Sequence, residues 1–270
     1  MGTRPITFLS DYGYADEFAG VCRAVIARIA PDARIIDLTH GIPRHDVRRG
    51  AAALARTLPF TPPGVHLAVV DPGVGTERRP MAVRVADEDR MLVGPDNGLL
   101  SQAISSLGGA VEAADLSESQ FALQSVSETF HGRDLFAPVA ARLALGASIV
   151  EAGEAIGPET VFRVATPEPT VEPGRVVAHV ADVDGFGNVA LDAAGDDLRR
   201  AGTGAARATV EVAGFDHGAT NGRSFGDAPE GGLLLYVDSS DRVALAVNRG
   251  SAAADLGLEP GDEVVLRLDV

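Results

Sequence analysis

The first half of the chain alternates between short apolar runs and segments with helical periodicity. The apolar runs cover residues 6–9, 35–38 and 65–70, and longer segments with helical spacing lie between and after them. Short runs of this kind are typical of strands buried on both faces, and the helices between them cover those faces. We therefore predict a parallel sheet covered by helices in this half.

The first predicted helix has one apolar face. Apolar residues recur along it at alternating spacings of three and one: Phe18, Val21, Cys22, Val25, Ile26 and Ile29. Because Cys22 lies within this face, we interpret it as a core residue rather than a nucleophile. Further helices are predicted over residues 47–58, 99–107 and 135–145.

Proline and glycine cluster in residues 157–174, where helical periodicity is lost. This change predicts a domain boundary. Beyond it come short β-rich runs separated by Gly, Asp and Ser turns, at residues 176–180, 209–212, 233–237, 243–247 and 263–268. We therefore predict an α/β domain over residues 1–160 and a smaller all-β domain, a barrel or sandwich, over residues 174–270.

Composition narrows the class of protein. With 46% hydrophobic residues the chain is expected to fold, and its net charge of −15 argues against a nucleic-acid partner. A single cysteine rules out an internal disulfide and a multi-thiolate metal site, which fits a cytoplasmic protein. There is no apolar run long enough to span a bilayer, so we expect neither membrane insertion nor export by a signal peptide.

Polar residues that end a buried strand are the first candidates for a ligand site, because ligands bind at the carboxyl ends of strands in open α/β sheets. Asp11 follows the first run and can accept two hydrogen bonds from ribose hydroxyls. An aspartate here is equally suited to capping the next helix or forming an Asx turn.

A second candidate is the glycine-containing loop of residues 71–79, which follows the third run. Asp71 is the best-placed carboxylate of the chain, although it could simply pair with Arg78 or Arg79 on the surface. The loop lacks the Gly-Lys-Ser/Thr ending of a phosphate-binding loop and does not match the dinucleotide fingerprint.

His131 is the third candidate, beside a predicted helix start and Asp134. Such an imidazole can be a base, a metal ligand or a polar group at a helix end. The other histidines show no zinc-binding spacing, and the chain contains no G-x-S-x-G nucleophile motif.

Seven motifs occur together in one order along the chain. They are LSDYG at 9–13, DLTHGI at 37–42, VVDPGVGTERR at 69–79, VGPDNGLL at 93–100, TFHGRD at 129–134, DGFGN at 184–188 and AVNRGSAAADLG at 246–257. In order and spacing the series resembles the S-adenosylmethionine hydroxide adenosyltransferase family, whose relatives include the fluorinase and the chlorinase. The resemblance spans nearly the whole chain.

The resemblance implies a Rossmann-like N-terminal domain, a β-barrel-like C-terminal domain and a homotrimer with substrate held between subunits. It also implies hydrolysis of S-adenosylmethionine (SAM) at the ribose C5′, which releases adenosine and L-methionine without a metal or cofactor. The motifs place the water-activating residues at Asp71, Arg78 and His131, with Arg79 as the alternative to Arg78 if the loop register differs.

The same resemblance assigns the substrate-binding residues. Asp11 is expected to hold the ribose hydroxyls. The DGFGN segment is expected to bind the methionine end through Asp184, Phe186 and Asn188, with Asp182 competing for the role of Asp184. Adenine recognition is expected from Ser239, Asn248 and the backbone near Arg249.

Three other functions remain open from the sequence. Halogenating relatives have Tyr followed by Ser or Gly where this chain has His131-Gly132, and they lack the Asp71…Arg78 pair, so water is favoured over halide as the nucleophile. A metal-dependent hydrolase would use Asp11, Asp71, Asp96 and His131 as ligands. A non-catalytic SAM or adenosine sensor would bind without forming product.

Overall fold

The computed structural model describes residues 2–164, 168–202 and 205–268. The chain divides into two compact units, Met1–Val164 and Ala165–Val270. The predicted boundary region of residues 157–174 includes residues 165–167, which lie outside the described residues. None of the described helices is both long and apolar enough to cross a membrane.

A seven-stranded mixed sheet forms the centre of the first unit, in the order β2-β1-β3-β5-β4-β6-β7. The strands are β1 Ile6–Ser10, β2 Ile35–Thr39, β3 Val65–Val69, β4 Pro80–Val85, β5 Met91–Pro95, β6 Ala110–Asp115 and β7 Glu154–Ile156. The strands β1, β2, β3 and β5 pair in parallel, whereas β4, β6 and β7 pair antiparallel. The α/β prediction is confirmed, but the sheet is mixed rather than parallel, because the five residues 86–90 join β4 and β5 as an antiparallel hairpin.

Helices cover both faces of this sheet. They are α1 Phe18–Ile29, α2 Val47–Thr57, α3 Ser101–Ser106, α4 Ala137–Ala144 and α5 Ile149–Ala152, with short 3-10 turns at Leu58–Phe60 and Pro158–Thr160. Cys22 is fully buried in the core that α1 and α4 form with the sheet, as predicted. The helix predicted over 135–145 differs at its start, because a π-helical turn over Gly132–Phe136 leads into α4.

The strand order decides where the candidate residues meet. Because β1 lies between β2 and β3, all parallel, the loops that follow these three strands emerge at one edge of the sheet. Asp11 comes one residue after β1, and Asp71 comes two residues after β3. The fold therefore brings two of the predicted site residues to a common edge.

The second unit is a seven-stranded antiparallel-rich barrel. Its ring runs β10-β14-β13-β12-β11-β15-β9 and closes through β9–β10, while β8 extends β9. The strands are β8 Thr170–Glu172, β9 Arg175–Val183, β10 Val189–Ala194, β11 Arg207–Val212, β12 Phe215–Asn221, β13 Leu233–Val237, β14 Arg242–Val247 and β15 Glu263–Leu268; α6 Gly195–Ala201, α7 Ala252–Leu256 and a 3-10 turn at Phe225–Asp227 complete the unit. Residues alternate between buried and half-buried along β9, as expected for a barrel wall. The predicted all-β, barrel-like domain is confirmed.

Candidate active site

A cavity of about 270 Å³ opens at the carboxyl edge of the first sheet. It is lined by Asp11, Tyr12, Asp16, Phe18, Arg44, His45, Asp71, Val74, Thr129, His131 and Gly132. Polar side chains of three strand-end loops and of the segment before the π-helical turn therefore converge on one concave surface, which is the usual setting of an active site.

Asp71, Arg78 and His131 form one hydrogen-bonded cluster beside this cavity. Arg78 Nε donates to Asp71 Oδ1 at 2.8 Å, and Arg78 Nη2 donates to Asp71 Oδ2. The same Nη2 lies 3.1 Å from His131 Nδ1. Because the loop turns back on itself between β3 and β4, the carboxylate that ends one strand meets the guanidinium seven residues later.

Close backbone packing fixes this loop. Gly75 has φ +77°, and a Cβ there would lie 2.6 Å from the carbonyl oxygen of Glu128. The loop is also closed by a hydrogen bond from the Thr76 hydroxyl to the carbonyl of Gly73, at 2.7 Å. Glu128 lies three residues before His131, so the contact at Gly75 holds the Arg78 loop against the segment that carries the histidine.

The cluster is shielded from water. The side chains of Asp71 and Arg78 are only 6% and 9% exposed, and the Arg78 guanidinium lies 5.3 Å from the centre of the Phe136 ring. Removing one partner of such a pair typically costs about 3–5 kcal/mol, because the other charge is left buried and unpaired. The pair is therefore a shielded ion pair, and its guanidinium holds His131 in place.

The tautomer of His131 follows from its partner. Burial, followed by the neighbouring Arg78 charge, lowers the pKa of His131 below its ordinary value, so the imidazole is neutral near pH 7. A guanidinium only donates hydrogen bonds, so His131 Nδ1 must be the acceptor. The ring proton therefore resides on Nε2, where it can donate a hydrogen bond to a ligand.

Arg79 has a different partner from Arg78. Its Nε and Nη2 donate to Asp96 Oδ2 at 3.1 and 2.6 Å, and Nη2 also donates to the carbonyl oxygen of Thr160 at 2.7 Å. Within the described residues no group of three or more His, Cys, Asp or Glu is arranged to hold a metal ion. The geometry thus brings Arg78, not Arg79, to Asp71, and keeps Asp96 out of the cluster.

Asp11, at the cavity wall, accepts a hydrogen bond from an unusual backbone donor. His45, in the left-handed region with φ +67°, donates its backbone N–H to Asp11 Oδ2 at 2.9 Å. Asp11 Oδ1 accepts no hydrogen bond from the described residues, so this oxygen and the free lone pair of Oδ2 are available to two ligand hydroxyls.

Tyr12 and Gly132 fit closely together at the wall of the cavity. A Cβ at Gly132 would lie 2.1 Å from the Tyr12 hydroxyl, so only glycine fits beside His131. The Tyr12 ring packs edge-on against Phe130 and in a tilted arrangement against Phe18. Burial raises the pKa of Tyr12 well above its ordinary value, which keeps the phenol protonated.

Sequence reasoning missed several lining residues. They are Tyr12, Asp16, Phe18, Arg44, His45, Val74, Thr129 and Gly132. A usable signal existed for Arg44 and His45, because they follow β2 and its DLTHGI motif at the same sheet edge. They follow the end of a strand, as Asp11 and Asp71 do.

In the second unit, the DGFGN segment forms the turn between β9 and β10. Asp184 Oδ1 accepts the backbone N–H groups of Phe186 and Asn188, and Asp184 Oδ2 accepts the Asn188 side-chain amide at 2.8 Å. Phe186 is 83% exposed, whereas the competing Asp182 is buried. Asp184 thus shapes the turn that presents the Phe186 ring.

Ser239 lies in the turn before β14, and Asn248 and Arg249 follow its other end. Six strand residues at about 3.3 Å each separate the two positions by about 20 Å, farther than one adenine ring reaches. Asn248 donates its side-chain amide to the carbonyl of Ala228 at 2.8 Å, and Arg249 pairs with Glu230 at 3.1 Å. Within one chain, Ser239 and Asn248 therefore lie too far apart to contact one adenine ring together.

Comparison with known proteins covers almost the whole chain. Residues 6–153 match the N-terminal domain of the SAM hydroxide adenosyltransferases, and residues 178–265 match their C-terminal domain. The "(R)-S-adenosyl-L-methionine hydrolase" of Salinispora arenicola is 49% identical over 98% of both chains, and a fluorinase of Actinoplanes is 28% identical over 96% of both.

A solved structure shares the fold as well. An uncharacterised conserved protein from Thermotoga maritima superposes with a TM-score of 0.90 at 35% identity, covering 97% of this chain and 99% of the other. Both domain matches, together with relatives far above 30% identity, cover the two units in the same order. The chain belongs to the SAM hydroxide adenosyltransferase family.

Proposed function

We propose that this protein hydrolyses SAM, with water attacking the ribose C5′ to release adenosine and L-methionine. The observation that carries the proposal is the hydrogen-bonded Asp71–Arg78–His131 cluster at the edge of a ligand-sized cavity. The relative from Salinispora arenicola is named for the (R) form of the substrate, so we propose the (R)-sulfonium epimer as the preferred one.

The reaction needs help mainly for the water. As the O–C5′ bond forms, the C5′–S bond breaks and its electron pair returns to sulfur, which leaves as a neutral thioether. No acid is needed to protonate the leaving group, and one proton is released from the attacking water. A site that positions the water in line with the C5′–S bond and accepts this proton supplies what the step requires.

The three clustered residues suit these tasks. Neutral His131 offers an Nε2–H donor that orients the water oxygen. Asp71 keeps one free lone pair on each carboxylate oxygen beyond those bonded by Arg78, so it is the acceptor for the water proton. Arg78 fixes both partners and balances the Asp71 charge.

The substrate-binding residues in this proposal are those that match the family motifs. Asp11 holds the ribose hydroxyls. Asp184, Phe186 and Asn188 contact the methionine end, and Asn248 with the backbone of Arg249 recognises adenine. Ser239, at the other end of β14, contacts a different part of the substrate. We also propose a homotrimer whose active sites draw residues from neighbouring protomers, which multi-angle light scattering would test.

The direct test incubates purified protein with each separated sulfonium epimer of SAM and resolves the products by chromatography. Adenosine and methionine in equal amounts, formed faster from the (R) epimer and unaffected by EDTA or chloride, would support the proposal. Asp71→Asn should reduce turnover by about 10²–10⁴-fold while substrate still binds.

Each alternative function predicts a different result. A 5′-chloro nucleoside formed only with chloride would identify a halide-using transferase. Loss of activity with EDTA, restored by a divalent metal, would identify a metal-dependent hydrolase. Tight SAM or adenosine binding without product would identify a sensor.

A further inference from the structure

A row of buried polar side chains lies behind the loop that carries Asp11. Ser10 and His40 are both fully buried, and neither lines the cavity. Ser10 Oγ lies 2.7 Å from His40 Nδ1, and His40 Nε2 lies 3.4 Å from Asp37 Oδ1. The residue types are those of a nucleophilic triad, but the buried serine faces no ligand space and therefore is not a nucleophile.

The chain of donors and acceptors in this row has one consistent direction. The backbone N–H of Tyr12 donates to Ser10 Oγ at 3.3 Å, so the serine hydroxyl is free to donate its own proton to His40 Nδ1. The imidazole proton then lies on Nε2 and points at Asp37. Burial lowers the pKa of His40, which agrees with this neutral form.

Asp37 anchors the far end of the row. Its Oδ2 accepts a hydrogen bond from Arg23 Nη1 at 3.0 Å, which fixes the carboxylate. Neither Asp37 Oδ1 nor His40 Nε2 has another hydrogen-bond partner among the described residues. These two atoms therefore suit each other as donor and acceptor, and at 3.4 Å a small shift of either side chain gives a full hydrogen bond.

The segment that follows β2 also holds the Asp11 loop through backbone hydrogen bonds. The N–H of Gly13 donates to the carbonyl oxygen of His40 at 2.7 Å, and the N–H of His45 donates to Asp11 Oδ2 at 2.9 Å. Ser10 and Gly13, which flank Asp11, are thus both hydrogen-bonded to His40, Ser10 through its side chain and Gly13 through its backbone.

We infer that Ser10, His40 and Asp37 form a positioning relay that sets the direction of the Asp11 carboxylate and thereby the binding of a ribose diol. This inference rests on the proposed function, because it takes Asp11 as the ribose ligand. The relay residues touch no substrate, so their loss weakens binding of the nucleoside more than it slows the chemical step.

A matched pair of variants separates positioning from general stability. Ser10→Ala removes the relay hydroxyl at the carboxyl end of β1. Thr7→Val removes a similar buried hydroxyl from the same strand, where Thr7 Oγ1 lies 2.8 Å from His66 Nδ1 and away from the cavity residues. Both variants lose one buried serine- or threonine-to-histidine hydrogen bond, so both should lose stability.

Only Ser10→Ala should weaken nucleoside binding. We expect its KM for SAM and its Kd for adenosine to rise about tenfold, the affinity equivalent of about one hydrogen bond, with kcat within about threefold of the parent. Thr7→Val should keep both constants. Equal effects of the two variants on KM and Kd, or none from either, would overturn the relay.

Two NMR measurements keep the test independent of activity. The imidazole nitrogens of His40 should show a bare Nδ1 and a protonated Nε2, and a protonated Nδ1 would overturn the proposed direction. The Tyr12 amide proton should exchange faster in Ser10→Ala than in Thr7→Val, and equal rates would also contradict the relay. A wild-type protein without turnover would reject the proposed function instead.

Discussion

Replacing Arg78 by lysine tests the cluster most sharply, because the neighbouring arginine provides a matched control. Arg78 makes two hydrogen bonds to Asp71 and one to His131, all from one planar guanidinium. A lysine keeps the positive charge but cannot reproduce the planar fork. Arg78→Lys therefore removes geometry while leaving the net charge of the site unchanged.

The expected loss follows from the number of contacts. If the ammonium keeps one of the three hydrogen bonds, two charge-assisted bonds are lost, at about 1.5 kcal/mol each. A loss of about 3 kcal/mol from the transition state lowers kcat/KM by about 10²-fold, since each 1.36 kcal/mol is a factor of ten. Most of this loss should fall on kcat, because the water, not the substrate, is misplaced.

Arg79→Lys breaks an equivalent set of contacts, to Asp96 and Thr160, outside the cluster. Steady-state kinetics with SAM, alongside thermal unfolding, compares the two variants. We expect both to lose stability, but only Arg78→Lys to lose catalysis, with Arg79→Lys within about threefold of the parent. Equal kcat losses in both variants, or full activity in Arg78→Lys, would refute the assigned role of Arg78.

Three further predictions concern neighbouring groups. His131→Ala should lower kcat by about 10²–10⁴-fold, whereas His131→Gln, which keeps a side-chain N–H, should retain more activity; equal kcat values would contradict the donor role. Gly132→Ala should lower the free energy of unfolding by about 1–3 kcal/mol, because the added Cβ meets the Tyr12 hydroxyl. Combining it with Tyr12→Phe should recover part of that loss. An unchanged melting temperature of Gly132→Ala in thermal unfolding would contradict the contact. Burial and the neighbouring Arg90 lower the pKa of His66 to about 3, so between about pH 6.5 and 3 only the unfolded chain takes up this proton. The stability that this group contributes is therefore present above pH 6.5 and is lost on acidification by up to about 1.4 kcal/mol per pH unit. Urea titrations at several pH values should find a smaller slope in His66→Gln.

The two-domain architecture can be predicted from the sequence because the patterns that indicate it are local. Buried strands at the start of the chain, the apolar face around Cys22 and the β-rich second half each depend on spacing within a few residues. The antiparallel hairpin of β4 and β5 departs from the parallel sheet predicted from the sequence. Its five-residue connection, 86–90, has positive φ at Glu88 and Asp89 but contains no glycine, so the usual sequence signal of a hairpin is missing.

The candidate site was only partly predictable for a different reason. Strand ends marked Asp11 and Asp71, but the choice between Arg78 and Arg79 depends on how the loop folds back, which adjacent identical residues cannot reveal. The relay of Ser10 and His40 was equally hidden, because its members lie 30 residues apart and meet only when β1 and β2 pair.

The position of a solvent oxygen atom tests the central claim most directly. The sulfonium of SAM carries three carbons open to attack, so the purified protein should be incubated with substrate in ¹⁸O-water and the products analysed by mass spectrometry. The proposed mechanism predicts one ¹⁸O atom in the 5′-hydroxyl of adenosine and none in methionine. Label in homoserine beside methylthioadenosine, or in methanol beside S-adenosylhomocysteine, would contradict attack at C5′.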